Sequence, residues 1–358
     1  MTSPQPRDCV SRIPAYVAGK PPLARPGLTT YKLSSNENPY PPLPGVVDAA
    51  AVAAAQMNRY PDMGNTALYE ALSDRLGVPT DHLVLATGSV ALIYQLVQAF
   101  CEPGDEVVYA WRSFEAYPIA VTAAGARGVQ VPVTADGRHD LAAMAAAITD
   151  RTKVVMVCTP NNPTGPSVTQ AELDAFLALV PEQVLVVVDE AYVEFVRMAD
   201  PVDGLATVRA HENVVATRTF SKAYGLAGFR VGYAIGPAPL ATALRAVSLP
   251  FGVSNVAQAA AVASLRAEPE LLERVESLVA ERERVVKGLA DVGVSVPEAQ
   301  GNFVWFAAGE RTLDLAAAAD DLGIVVRPFA GVGARVSIGE PEANDRVVEL
   351  GRTFAAGP

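Results

Sequence analysis

The sequence is poor in cysteine and contains no long apolar run. Its three cysteines, Cys9, Cys101 and Cys158, are odd in number and form no CxxC pair. This pattern excludes a disulfide framework and favours a reducing compartment. No apolar run approaches the ~20 residues that a membrane-spanning helix needs, and the first ten residues (MTSPQPRDCV) contain no apolar signal-peptide segment. We therefore expect a cytoplasmic protein with no membrane partner.

The sequence also has fewer basic than acidic residues, and it lacks metal-ligand motifs. The formal net charge is −11, which argues against a nucleic-acid partner because phosphate neutralisation requires a basic face. His82, His139 and His211 show no metal-ligand spacing, so we predict no metal site. No GxGxxG follows a predicted strand and no GxxxxGK[ST] occurs, so dinucleotide and P-loop sites lack support.

The pattern of the chain changes twice along its 358 residues. Residues 1–44 are rich in proline and predict an extended N-terminal arm. Residues 45–250 alternate helical patterns with β-branched runs, which predicts a doubly wound α/β domain with a mostly parallel sheet. Residues 251–358 contain a long charged helical pattern and short strands, which predicts a smaller α+β domain. The predicted strands are HLVLATG, DEVVYA, KVVMVC, QVLVVVD and NVVATRT in the larger domain, and NFVWFAA, GIVVRPF and ARVSIG in the smaller one.

Unusual polar clusters follow several predicted strands of the larger domain. They are ATGSV (Ala86–Val90), CTPNNPTG (Cys158–Gly165), a carboxylate at Asp189, and the glycine-punctuated stretch from Lys222 to Arg230. Each has an ordinary structural reading: a helix cap, a proline turn, a paired acid or a surface lysine. Ligands of open α/β sheets bind where the carboxyl ends of strands meet helix N-termini. Their shared position therefore favours a functional reading.

Together these clusters predict the chemistry of one ligand. The backbone amides of Ser89 and Val90, with Arg230, suit an anionic phosphate. Asp189 at the end of an apolar strand needs a cationic partner, and a desolvated Lys222 becomes a nucleophile towards carbonyls. A ligand with a phosphate, an aromatic nitrogen, a phenolate-type oxygen and an aldehyde meets these demands. Pyridoxal 5′-phosphate (PLP) has all four.

The motifs PNNPTG, DEAY and SKxxxLxGxRxG, in this order, resemble those of fold-type I PLP-dependent aminotransferases. The resemblance runs from SSNENP to ARVSIG and is strongest to the histidinol-phosphate aminotransferase group. Within that group, GSVALIYQLVQ and WRSFEAYP look most like actinobacterial aromatic amino acid (phenylalanine) aminotransferases. The resemblance implies a PLP-dependent transferase fold of the aspartate aminotransferase type.

The resemblance also implies roles for individual residues towards the cofactor. Lys222 would form the Schiff base with PLP and would then move the proton, and Asp189 would pair with the pyridine nitrogen. Asn162 and Tyr192 would bind the phenolic oxygen, while Phe114, where a tyrosine is expected, would stack on the ring. The phosphate would be held by Ser89, Val90, Thr219, Ser221 and Arg230.

Further implied roles concern the substrate and the assembly. Arg335 would bind the substrate carboxylate, with Asn36 nearby, and Arg327 is a second candidate for substrate binding. Tyr60 would reach the phosphate of the partner subunit, so we expect a homodimer.

The implied reaction is transamination of an aromatic L-amino acid with 2-oxoglutarate, which gives an aromatic 2-oxo acid and L-glutamate. Histidinol phosphate remains an alternative substrate, because Arg327 and Arg335 could bind a phosphate as well as a carboxylate. A PLP-dependent decarboxylase of a phosphorylated amino acid and a non-enzymatic regulator are further alternatives. Retention of Lys222, Asp189 and Arg230 argues against the regulator.

Overall fold

Short strands and helices follow one another along most of the chain. The computed structural model describes residues 3–17, 19, 21 and 25–357. The strands are β1 (Tyr31–Lys32), β2 (Leu83–Ala86), β3 (Glu106–Trp111), β4 (Arg127–Pro132), β5 (Thr152–Cys158), β6 (Leu185–Asp189), β7 (Val214–Thr219), β8 (Gly232–Ile235), β9 (Phe303–Phe306), β10 (Ile324–Val325), β11 (Arg327–Phe329) and β12 (Gly333–Ser337). The helices are α1 (Val46–Ala54), α2 (Thr66–Leu76), α3 (Ser89–Phe100), α4 (Ala116–Ala124), α5 (Leu141–Ala146), α6 (Gln170–Leu177), α7 (Gly204–Ala210), α8 (Ala238–Ala246), α9 (Asn255–Arg266), α10 (Glu268–Asp291), α11 (Thr312–Asp321) and α12 (Pro341–Ala355). Among the described helices, none combines the length and apolarity that a bilayer crossing requires.

Seven strands form a mostly parallel sheet in the order β2–β8–β7–β6–β5–β3–β4. Only β8 runs antiparallel to its neighbours β2 and β7 within this sheet of described residues. Alternate side chains of β5 enter different apolar cores, Val154 and Met156 in one and Val155 and Val157 in the other. Both faces of the sheet are therefore covered, which explains the continuous apolar strands. The predicted α/β fold is confirmed.

The five strands predicted for the larger domain correspond to β2, β3, β5, β6 and β7. The sequence patterns did not predict β4 and β8. At the sheet edge, β4 begins with exposed Arg127 and Gly128, so it lacks a continuous apolar run. At the other side of the sheet, β8 has four residues and pairs antiparallel, so its sequence resembles a loop.

The C-terminal part of the chain forms a second sheet, and one of its strands pairs with a strand of the N-terminal arm. Antiparallel β11, β12 and β9 form a three-stranded sheet, and β1 pairs in parallel with β10. The predicted strand GIVVRPF is divided into β10 and β11 at Val326. The proline-rich arm contains a 3-10 helix at Asp8–Arg12, and it adds Tyr31–Lys32 to β10. The division at residues 1–44, 45–250 and 251–358 remains our proposal.

The register of the central strands places the motif loops side by side. At the carboxyl ends, Cys158 of β5 lies opposite Asp189 of β6, and Asp189 lies opposite Thr217 of β7. The loops that follow these strands carry Asn162 and Lys222. Two residues separate the end of β2 from the start of helix α3, which lies at the same edge of the sheet.

Gly232, the first residue of β8, keeps the start of α3 close to the sheet. A Cβ at this position would lie 2.6 Å from the Ser89 nitrogen and 2.9 Å from the Gly88 carbonyl carbon. Because both are backbone atoms, we expect Gly232→Ala to lower the free energy of unfolding by about 1–3 kcal/mol, measured by urea denaturation. Gly228→Ala is the matched control, since a Cβ there meets no described atom within 4 Å. Equal stability of wild type and Gly232→Ala would contradict this packing.

Candidate active site

A cavity of about 300 Å³ opens at the carboxyl ends of β5, β6 and β7. Twelve of the residues proposed from the sequence line it: Ser89, Val90, Phe114, Asn162, Asp189, Tyr192, Thr219, Ser221, Lys222, Arg230, Arg327 and Arg335. The structure thus brings together side chains from four loops of the large sheet and from the small sheet. The roles of these residues remain predictions, for which their geometry provides the argument.

The half-buried side chain of Lys222 has no carboxylate bound to it among the described residues. Its Nζ donates a hydrogen bond to the Ser35 carbonyl oxygen at 3.1 Å and lies 5.8 Å from the ring centroid of Tyr192. Burial, and then the nearby Arg335, lower the pKa of Lys222 to about 7, while Glu37 opposes the shift. A large fraction of the amine is therefore neutral and nucleophilic near pH 7.

Asp189 ends β6 with one carboxylate oxygen bound and one free. Its Oδ2 accepts a hydrogen bond from the Tyr117 hydroxyl at 2.7 Å. Its buried Oδ1 has no hydrogen-bond partner among the described residues. Burial raises the pKa of Asp189, and the bond from Tyr117 opposes this. A cationic donor in the cavity would satisfy Oδ1 and favour the ionised carboxylate.

The N-terminus of α3 and Arg230 form one end of the cavity. Gly88 precedes the helix with φ 83°, and a Cβ there would lie 2.5 Å from Arg230 Nη2. The guanidinium therefore occupies space that only glycine leaves open. Arg230 Nη1 also donates to the Ser221 hydroxyl at 3.2 Å. Helix amides, a hydroxyl and a guanidinium together suit an anion such as a phosphate.

Arg335 of β12 is a buried guanidinium with neutral acceptors. It donates to Asn162 Oδ1 at 2.5 Å and to the Ser34 carbonyl oxygen at 2.7 Å. Its Nε has no hydrogen-bond partner among the described residues. Burial lowers the pKa of Arg335, while Tyr192 opposes the shift. A small carboxylate in the cavity would supply the missing negative charge.

The remaining wall of the cavity is aromatic and contains one ion pair. Arg327 Nη2 donates to Glu115 Oε2 at 2.7 Å. The Phe329 ring lies next to this pair, with its centroid 5.1 Å from the Arg327 guanidinium carbon. Phe114 packs edge-on against Tyr117, with ring centroids 5.7 Å apart. A planar apolar group would pack well against these walls.

Two residues proposed from the sequence lie outside the cavity lining. Asn36 is fully buried behind it and donates to the Tyr192 hydroxyl at 3.0 Å. Tyr60 is 83% exposed and packs its ring against Phe251 at 4.9 Å.

The sequence reasoning also missed lining residues. Tyr16 and Gly19 of the arm, Glu37 and Glu115 are examples. Glu115 lies inside the quoted stretch WRSFEAYP, which was the only signal that could have drawn attention to it.

The residues present fit PLP on structural grounds. The free Asp189 oxygen suits a protonated ring nitrogen, the Gly88–Arg230 end suits a phosphate, and the Lys222 amine suits an aldehyde. In the described part of the chain, no group of three or more His, Cys, Asp or Glu side chains could hold a metal ion.

Comparison with known proteins agrees with this chemistry. The family model for class I and II aminotransferases matches residues 29–350. The chain belongs to this family. This aminotransferase is 59% identical over 353 residues to an aromatic amino acid aminotransferase of Streptomyces coelicolor, covering 99% of this chain and 98% of the relative. It is 53% identical over 348 residues to one of Thermobifida fusca, covering 97% and 96%.

Solved structures resemble the aminotransferase over most of its length. Histidinol-phosphate aminotransferase from Sinorhizobium meliloti, solved in complex with PLP, has a TM-score of 0.83 at 30% identity and covers 91% of this chain and 92% of its own. A mutant aspartate aminotransferase of Thermus thermophilus has a TM-score of 0.80 at 25% identity, with 91% and 92% covered. The predicted aspartate aminotransferase-like fold is thus confirmed.

The lowered pKa of Lys222 gives a testable pH dependence. In the protein freed of cofactor, acylation of Lys222 by a small reagent should accelerate about tenfold per pH unit below its pKa and level off above it. The midpoint should lie at about 7, because the amine is protonated below and neutral above that value. Peptide mass spectrometry gives the rate for Lys222, and Nα-acetyl-lysine in the same sample is the control. A midpoint equal to that of Nα-acetyl-lysine would show that the amine is not desolvated.

Proposed function

We propose that the protein is a PLP-dependent aminotransferase that transfers the amino group of an aromatic L-amino acid to 2-oxoglutarate. One observation carries the proposal. The Lys222 amine, whose pKa is lowered to about 7, lines the same cavity as the Asp189 Oδ1, which has no hydrogen-bond partner among the described residues. The names of the relatives support an aromatic substrate. The aromatic walls formed by Phe114 and Phe329 also support it.

Each end of the cavity would hold one part of the cofactor. Lys222 would bind the aldehyde covalently, and Asp189 would keep the ring nitrogen protonated. Because Asn162 Oδ1 accepts from Arg335, its Nδ2 is left to donate to the phenolic oxygen, together with the Tyr192 hydroxyl. Phe114 would cover the ring face, and the phosphate would be held by Ser89, Val90, Thr219, Ser221 and Arg230.

The chemistry that PLP supplies when bound is an electron sink for the bonds at the substrate Cα. The chain supplies orientation and proton transfer. Arg335 would bind the substrate carboxylate, which orients the Cα. The Lys222 amine would accept the proton from the Cα and donate it again within the cavity, a role that suits a pKa near neutrality. Asn36 would hold the Tyr192 hydroxyl in place.

The three cysteines bear on the location of the protein. Cys9, Cys101 and Cys158 are all unpaired. Burial raises the pKa of the Cys101 and Cys158 thiols to about 12, so both are protonated near neutral pH. Unpaired thiols are typical of reducing compartments. They support our proposal of a cytoplasmic location.

A homodimer is the assembly that the exposed apolar residues support. Tyr60 is exposed beside Phe251, and several further apolar side chains near Tyr60 or Phe251 in the sequence are exposed. These are Val47, Val52, Met57, Met63 and Leu249. Exposed apolar groups of this kind mark protein interfaces. We propose that they meet a second copy of the chain and that Tyr60 reaches the phosphate in the partner's cavity.

Substrate turnover tests the proposed reaction. The PLP-bound enzyme should convert L-phenylalanine and 2-oxoglutarate with a higher kcat/KM than histidinol phosphate and 2-oxoglutarate, measured from the glutamate formed. Lys222→Ala should lose activity by about 10²–10⁴-fold or more because the proton carrier is gone. Lys287→Ala, which removes an exposed lysine, is the matched control. A preference for histidinol phosphate, or release of carbon dioxide in place of an oxo acid, would overturn the proposal.

Subunit mixing tests the shared site. Tyr60→Ala and Lys222→Ala should each have little activity at limiting PLP. After mixing and re-equilibration, half of the dimers are hybrids with one complete site each, so activity should recover to roughly a quarter of the wild-type value. Light scattering checks that dimers form. Hybrid dimers without recovered activity would show that Tyr60 does not serve the partner's site.

A further inference from the structure

Glu115 is an acidic residue of the cavity lining that the mechanism does not use. It lies between β3 and α4, and its carboxylate accepts a hydrogen bond from Arg327 of β11 at 2.7 Å. The Arg327 side chain is 9% exposed and that of Glu115 is 25% exposed, so the pair is largely shielded from water. Both residues line the cavity.

Four cationic side chains among the described residues line the cavity, and Arg327 differs from the other three. Lys222 and Arg230 would serve the cofactor, and Arg335 has no carboxylate partner among the described residues. Arg327 is bound to Glu115, so its charge is already balanced. The two arginines that were equal candidates for a carboxylate or a phosphate are therefore electrostatically distinct.

A second arginine, Arg112, lies near this ion pair, and Glu115 is the acid that acts on it. The Arg112 guanidinium carbon lies 4.8 Å from the Trp111 ring centroid and 5.3 Å from that of Phe329. Burial lowers the pKa of Arg112, Glu115 opposes this and Arg327 adds to it. Removing the Glu115 charge would leave Arg327 without its carboxylate partner, with Arg112 nearby.

A phosphate monoester at this wall would contact the Glu115 carboxylate as well as the Arg327 guanidinium. A phosphate bound to Arg327 would lie beside the Glu115 carboxylate, and the two like charges would share a shielded space. An uncharged aromatic ring meets no such repulsion and can pack on Phe329. Such a wall discriminates by repelling one ligand class.

We propose that Glu115 is a specificity-determining residue that rejects amino donors that carry a phosphate ester by occupying Arg327. The inference rests on the proposed function, since it concerns the choice of amino donor by that same site. Glu115 needs no contact with the favoured donor to act in this way.

The test is the half-reaction of PLP-bound enzyme with an amino donor alone, so that the oxo acid does not enter. The donors are L-histidinol phosphate, L-histidinol, which lacks only the phosphate, and L-phenylalanine. Single-turnover absorbance of the cofactor gives the specificity constant for each donor. The ratio for histidinol phosphate over histidinol isolates the effect of the phosphate.

Glu115→Gln should raise this ratio by roughly tenfold or more, because a neutral amide frees Arg327 without adding volume. Glu115→Asp keeps the charge and should keep the low ratio. Glu349→Gln removes an exposed acid paired with Arg352 on α12, and it should leave the ratio unchanged. If Glu115→Gln does not fold, as judged by circular dichroism, Glu115→Ala replaces it.

An unchanged or lower ratio in a folded Glu115→Gln overturns the inference. So does an equal loss of rate for all three donors, which would make Glu115 a structural support of the site. These outcomes are separate from failure of the proposed function. That failure would appear in the wild type, as a preference for histidinol phosphate over phenylalanine.

Discussion

Two groups of opposite formal charge, the half-buried Lys222 and the buried Asp189, line one cavity and form no ion pair with each other. Burial disfavours the charged form of both, so the pKa of Lys222 falls and that of Asp189 rises. Leaving either group charged without a partner costs several kcal/mol. A ligand that offers a carbonyl to the amine and a cationic nitrogen to the carboxylate relieves both penalties. The two groups therefore favour the binding of such a ligand and do not stabilise the protein without it.

The rest of the structure brings distant segments to these two groups. Parallel pairing aligns the ends of β5, β6 and β7, which places the motif loops on one edge. The segment after β1 supplies the carbonyl oxygens of Ser35 and Ser34, which accept from Lys222 and Arg335. The small sheet supplies Arg335 and Arg327 from adjacent strands. The cavity therefore depends on the docking of the N-terminal arm and the small sheet onto the large one.

Membership of the aminotransferase family explains the shared chemistry but not the choice of substrate. Relatives of the same fold act on aspartate or on histidinol phosphate, as their names state. Function resides in the side chains that a fold carries, so discrimination must come from the wall that faces the substrate. In this chain, the wall that we propose faces the substrate combines Phe329 with Arg327, which is bound to Glu115.

Much of the large sheet could be predicted from the sequence, because buried parallel strands form continuous apolar runs. The strands β4 and β8 could not be predicted in this way. Since β4 is half exposed and β8 is short, neither has an apolar run that distinguishes it from a loop. The arm shows the same limit. Its Tyr31–Lys32 becomes a strand only because β10 lies beside it.

The sequence by itself determined which residues are candidates for the chemistry. Local motifs place Asn162, Asp189 and Lys222 after strands, and parallel strands end at one edge. Tertiary structure alone decided the state of these groups. Burial sets the pKa of Lys222, and the packing of the two sheets joins Glu115 to Arg327, which lies 212 residues away. Motifs reflect short-range geometry, whereas desolvation and long-range ion pairs depend on which segments the folded chain brings together.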